Sequence, residues 1–113
     1  MYVQLTSNLA FAGGPDYSRS LSLDAAIAAR VQVSVSDALG LSLVVIVQVS
    51  DDLRNWADQS RSSPYISGDG FHIFSVSDDS DPEANKVAAR YLRLKYSGTG
   101  IATLNAGVHL NHA

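Results

Sequence analysis

The sequence predicts an all-β protein, an antiparallel β-sandwich of about seven to eight strands, and three observations carry that expectation. Apolar and polar residues alternate over several short runs rich in Val, Ile, Leu and Tyr. Gly, Asp, Ser and Pro punctuate those runs at close spacing. The chain has 113 residues, which suits one domain with a two-layer core and is too short for two.

Taken in order, Leu9 to Gly13 reads as a short edge strand ended by Gly13-Gly14-Pro15-Asp16. Ser18 to Leu23 alternates, with Leu21 and Leu23 inward. Asp24 is a possible N-cap for a helical turn, but unbroken alternation into Val31-Gln32-Val33 favours a strand over Ala26 to Ser36. That strand places Ile27, Ala29, Val31, Val33 and Val35 on one face and Arg30, Gln32, Ser34 and Ser36 on the other. Asp37-Ala38-Leu39-Gly40 then reads as a tight turn, making a hairpin with Leu41 to Val49.

The Leu41–Val49 strand is apolar on both sides at its centre. Val45 and Val47 point one way, Val44 and Ile46 the other. Phe71 to Val76 is likewise β-rich and two-sided, with Ile73 assigned to the core. Ala89 to Tyr96 turns Leu92, Leu94 and Tyr96 inward. Ser97-Gly98-Thr99-Gly100 closes a second hairpin, after which Ala102, Leu104, Ala106, Val108 and Leu110 face in. The whole fits a jelly-roll-like sandwich formed by residues 1–113 as a single domain.

Composition excludes several function classes. The net charge is −3, and the eight Lys and Arg are scattered, which argues against nucleic acid and against an anionic membrane surface. Without cysteine there are no disulfides, thiolate metal sites or Cys nucleophiles. The opening residues lack the basic start and apolar core of a signal peptide, so synthesis in the cytoplasm, with no membrane span, is expected. Charged residues make up 17% of the chain, below the usual value of about 25%, as suits a surface partly covered in its working state.

Two separated motifs carry a family resemblance. Val47-Gln48-Val49-Ser50-Asp51-Asp52 is followed by Asn55-Trp56, and Ala89-Arg90-Tyr91-Leu92-Arg93-Leu94 comes later in the chain. In this order they resemble the discoidin sandwich and its galactose-binding-like relatives. The resemblance implies that Ser and Asp side chains cap the turn leaving the sheet, and that Trp56 folds back as a lid over the core end. It also implies that Arg90 and Arg93 pair with the turn carboxylates. Leu53 stands where the family has Gly, and the framing cysteines of its animal members are absent. The small, cysteine-free form is also similar to virion proteins of tailed phages that decorate or cement capsids.

Candidate sites follow from what remains. The acidic segment 78–83 fails the EF-hand pattern, because Ala84 replaces the required Gly and Arg90 stands where the bidentate Glu belongs. His109 and His112 fall on opposite faces of a strand, so no metal ligand set is expected, and no cofactor. No nucleophile elbow or paired catalytic carboxylates emerge, so an enzyme is not expected. The surplus apolar side chains Val44, Ile46, Phe74 and Val76 are the expected interface. The functional expectation is therefore a structural virion protein, a capsid decoration or cement subunit. Its expected partners are copies of itself, as in a trimer, and a capsid or other structural protein. The alternative is a carbohydrate-binding module using Asp51, Asp52, Trp56 and Tyr65.

Overall fold

The computed structural model describes residues 2–23, 26–75 and 90–112. Among the described residues all regular structure is strand: β1 (Tyr2–Phe11), β2 (Asp16–Tyr17), β3 (Leu21–Ser22), β4 (Ala26–Ser50), β5 (Ala57–Ser62), β6 (Gly70–Ser75) and β7 (Tyr91–His112). They join in one seven-stranded antiparallel sheet, the all-β class that the alternation predicts. Two long strands form its spine. β4 has 25 residues and β7 has 22, and they pair with each other from Ala26↔His112 to Ser50↔Tyr91.

The other strands flank this ribbon as two interrupted courses. On the β7 side, β1 pairs with residues 102–109, β2 with Lys95 and Tyr96, and β3 with Tyr91 and Leu92. On the β4 side, β5 pairs with residues 46–49, Ile66 bridges to Leu43, and β6 pairs with residues 30–35. The molecule is in effect a sheet of four long courses.

A straight strand of β4's length would span about 80 Å. The longest dimension of the molecule is 39 Å, and the shortest is 22 Å. The ribbon therefore folds back on itself near its middle, where the β4–β7 register shifts between Ser36, Leu39 and Ser42. At this level β4 has left-handed backbone at Asp37 and Gly40, and β7 at Gly98 and Gly100. The flanking courses break at the same level, at Gly13-Gly14 and at Gly68-Asp69-Gly70. Every glycine except Gly107 lies on this crease. Crossing contacts hold it: Gly14 N–H donates to the Gly98 carbonyl at 3.2 Å, and Ala38 N–H donates to Asp69 Oδ1 at 2.8 Å.

Folding the sheet turns one of its faces into the core. Val31, Val33 and Val35 on one arm of β4 and Leu41, Leu43, Val45 and Val47 on the other belong to a single buried cluster. Leu92, Leu94 and Tyr96 join Ala102, Leu104, Ala106, Val108 and Leu110 there from β7. Covering one face by the other arm removes the need for a helix layer. Tyr96 is fully buried, and its hydroxyl is 2.6 Å from Thr6 Oγ1. Burial pushes its pKa up to about 12, with the Thr6 hydrogen bond acting in the opposite direction.

The structure corrects several expectations. Asp37-Ala38-Leu39-Gly40 does not reverse the chain: β4 runs through it, and Leu39 pairs with Ile101. Ser97-Gly98-Thr99-Gly100 likewise lies within β7. Left-handed residues serve a sharp bend as well as a hairpin turn, which is why the two read alike. The first strand is longer than the expected Leu9–Gly13, because register shifts between Gln4 and Leu9 hide its alternation. Ile73 is outward and 53% exposed, whereas Phe74 packs against the core. Asp24, Val76 and the acidic segment 78–83 lie outside the described residues.

The crease makes one glycine far more demanding than another. A Cβ at Gly100 would press on the backbone of Gly40 and Leu41, at a φ of +90°. At Gly107 it would meet only the Tyr2 side chain, which can swing aside. Gly100→Ala is expected to lose about 3 kcal/mol in urea unfolding. Gly107→Ala should stay within about 1 kcal/mol of wild type. Equal losses would mean that Gly100 does not set the crease.

Candidate functional site

With one face of the sheet consumed by the core, chemistry available to a partner sits on the outer face. On the arm holding residues 42–50 and 91–99, that face carries Val44 and Ile46, both half-buried. They floor an open groove of about 380 Å³ whose other walls are Ser42, Tyr65, Ser97 and Thr99. The sequence puts Val44 and Ile46 there because Val45 and Val47 take the core positions on either side of them.

Tyr65 is held over the groove by its neighbours. Ile66 exchanges two backbone hydrogen bonds with Leu43, at 2.8 and 2.9 Å, and buries its own side chain. Ser63 N–H donates to the Val45 carbonyl at 2.9 Å, and Val45 N–H donates to Ser63 Oγ at 2.8 Å. With Ile66 anchored inward, Tyr65 points out and is 80% exposed. A large ring so exposed above an apolar floor is an unusual use of hydrophobic surface.

Beyond Ile46 the outer face is closed by a bar of side chains. The Arg93 guanidinium lies 4.2 Å from the Tyr17 ring centroid and 4.3 Å from that of Trp56. Its Nε–H donates to Gln48 Oε1 at 2.8 Å, and Gln48 Nε2 donates to Asp58 Oδ1 at 2.8 Å. Arg93 is thus satisfied by cation–π stacking and hydrogen bonding together, and the bar ties all four courses of this arm. Trp56 is spent on Arg93 instead of capping the core end, and Arg93 reaches Gln48 instead of a turn carboxylate.

The Ser50–Asn55 turn closes on itself. Asp52 Oδ1 accepts from the backbone N–H of Asn55 at 2.8 Å and of Arg54 at 2.9 Å, and Asn55 Nδ2 donates to Asp52 Oδ2 at 2.7 Å. Ser50 Oγ accepts from the N–H groups of Asp52 and Leu53 and donates to Asp52 Oδ1. These donors hold the Asp52 carboxyl well below the usual range, the backbone N–H of Asn55 foremost. Asp51 Oδ1 accepts from the backbone N–H of Arg90 at 3.1 Å. Leu53 has a φ of +64°, so the turn keeps the left-handed conformation that a glycine would adopt freely.

The expected site residues therefore separate. Val44 and Ile46 share the groove with Tyr65, while Phe74 belongs to the core edge and Val76 lies outside the described residues. Asp51 and Asp52 are occupied in the turn, and Trp56 is in the Arg93 bar, so the structure does not bring them to Tyr65. Along β4, Gln48 beside the bar is about 13 Å from Val44 beside Tyr65. Sequence reasoning missed the exposed Phe71, Ile73, Leu39 and Ile101. For β6 the needed information is register: His72 sits opposite Val33 and Phe74 opposite Val31, which turns Phe71 and Ile73 outward. Among the described residues, no group of three or more His, Cys, Asp or Glu could hold a metal ion.

Comparison with protein-family models, curated proteins and solved structures finds no match for this chain. The all-β antiparallel sheet is compatible with a β-sandwich, and no match identifies a discoidin protein.

The Asp52 turn sets an acid limit on stability. Its folded-state pKa lies below that of a free carboxylate, about 3.9. The resulting stabilisation is complete above that value and fades as pH falls through the lowered one. Asp52→Asn is expected to be less stable at pH 7 and to show a shallower loss between about pH 4 and pH 2 by thermal melting. An unchanged acid profile would mean that other carboxylates dominate it.

Proposed function

We propose that this chain is a structural protein acting through protein–protein contacts of its outer face, specifically a capsid decoration or cement subunit of a virion. It assembles as a closed homo-oligomer, such as a trimer, and seats on a shell of other protein. On this reading the fold is a discoidin-like sandwich made in the host cytoplasm, and it uses no cofactor, nucleic acid or membrane. The observation that carries the proposal is the outer-face groove with half-buried Val44 and Ile46 beneath an exposed Tyr65. Phe71, at 59% exposure, and Ile73 add apolar surface on β6 of the other arm. Such exposed apolar surface suits the core of an interface. A small cysteine-free sheet held by long backbone ladders also suits a protein whose task is to persist on a shell.

A second reading has its own observation. An exposed ring over a groove edged by the hydroxyls of Ser42, Ser97 and Thr99 also suits a carbohydrate. In that case Tyr65 is the stacking residue, and Asp51, Asp52 and Trp56 only support the arm.

Light scattering across a dilution series decides between them. The proposal expects a defined multiple of 12.0 kDa that persists on dilution, and its dissociation in Ile46→Lys, which puts a charge into the apolar contact. A wild-type monomer at high concentration, with glycan binding that Tyr65→Ala abolishes, would establish the second reading and overturn the first.

A further inference from the structure

The outer face of the other arm holds a second concavity, of about 330 Å³, whose described lining is Arg30, Gln32, Ile73 and His109. Arg30 pairs across the ladder with His109 and with Ser75, and Gln32 with Gly107 and Ile73. These side chains therefore stand on one patch of three adjacent strands. Tyr2, opposite His109 on β1, stacks against its ring with centroids 4.8 Å apart, tilted by 46°. The Tyr2 side chain lies over Gly107, where the missing Cβ leaves it room.

We infer that this pocket binds a carboxylate belonging to a polypeptide. The polar groups it offers are mostly donors. Gln32 and His109 Nε2 share one hydrogen bond at 3.1 Å, which leaves at least one Gln32 amide hydrogen for a ligand. Among the described residues nothing pairs with the Arg30 guanidinium, and no Asp or Glu lines the pocket. A donor-rich site built around a guanidinium favours an anion.

Three further arguments narrow the anion. A single permanent charge, Arg30, matches a monoanion better than a dianionic phosphate. The planar guanidinium fork meets a carboxylate through two parallel hydrogen bonds. Finally, the lining includes one aliphatic side chain, Ile73, which is 53% exposed. A sugar acid would set hydroxyl groups against the Ile73 side chain, which offers them no hydrogen bond. A peptide carboxylate next to an aliphatic side chain fits both the donors and the wall. The inference is independent of the groove at Val44 and of the function proposed from it.

The test is an NMR titration of the ¹⁵N-labelled protein with N-acetyl-leucine, which carries one carboxylate and one aliphatic side chain. The expected result is saturable shifts at Arg30, Gln32, Ile73 and His109, with a Kd of about 1 mM. N-acetyl-leucinamide, the neutral isostere, should bind at least about tenfold more weakly. Arg30→Gln should lose affinity by a similar factor with the rest of its spectrum unchanged. No saturation by about 50 mM, equal binding of the amide, or unaltered binding by Arg30→Gln would overturn the inference. Preference for phosphate or glucuronate over N-acetyl-leucine would overturn it too. The amide control needs no mutant, so the test stands even if Arg30→Gln fails to fold.

Discussion

The crease is the constraint from which the rest of the structure follows. Two strands of 25 and 22 residues, paired along their length, present a long apolar face that water disfavours. With no helix among the described residues to cover it, the ribbon covers itself. All four courses must then bend at one level, and a bent backbone needs residues that tolerate left-handed φ. That requirement places Gly13, Gly40, Gly98 and Gly100, together with Asp37, where they are. Closing the fold merges two short apolar arms into one core of the sort that stabilises a small domain.

What is available for function follows from the same geometry. The inner face is used up, so any partner meets the outer face or the sheet edges. The two arms then differ in chemistry. One carries the apolar groove under Tyr65, bounded by the Arg93 bar. The other carries the donor-rich patch around Arg30 and His109. The bar is structural work done on the outside: Arg93 stacks between two rings and so braces an arm whose flanking strands β2, β3 and β5 are short or interrupted. Asp52 works in a similar way at the arm's end, where its carboxylate replaces the ladder partners that the chain loses on leaving β4.

Much of this was legible in the sequence, and the parts that were not have physical causes. Period-two alternation identified the two arms of β4 and of β7, as four separate strands, and their inward side chains, because one face of each arm is buried. The two-sided run at Val44 and Ile46 reflects their half-buried place on the outer face, where they line a groove. Chain reversal was misread because Asp37–Gly40 and residues 97–100 have the chemistry that a turn and a crease share. β6 was misphased since Phe71-His72-Ile73-Phe74 is apolar in both registers, and only pairing with β4 decides which side is in. The Arg93 stack was invisible because Tyr17, Trp56 and Arg93 meet only once separate strands are laid side by side.

Backbone proton contacts in a nuclear Overhauser spectrum test the folded ribbon most directly. The account predicts cross-strand contacts following one continuous β4–β7 register, with Val33 beside Ala106 and Val45 beside Tyr96. Backbone contacts between Ser34 and Leu43, as in a hairpin turning at Asp37–Gly40, would contradict it. In that case the crease, the single inner face and the outer-face sites built upon them would all have to be abandoned.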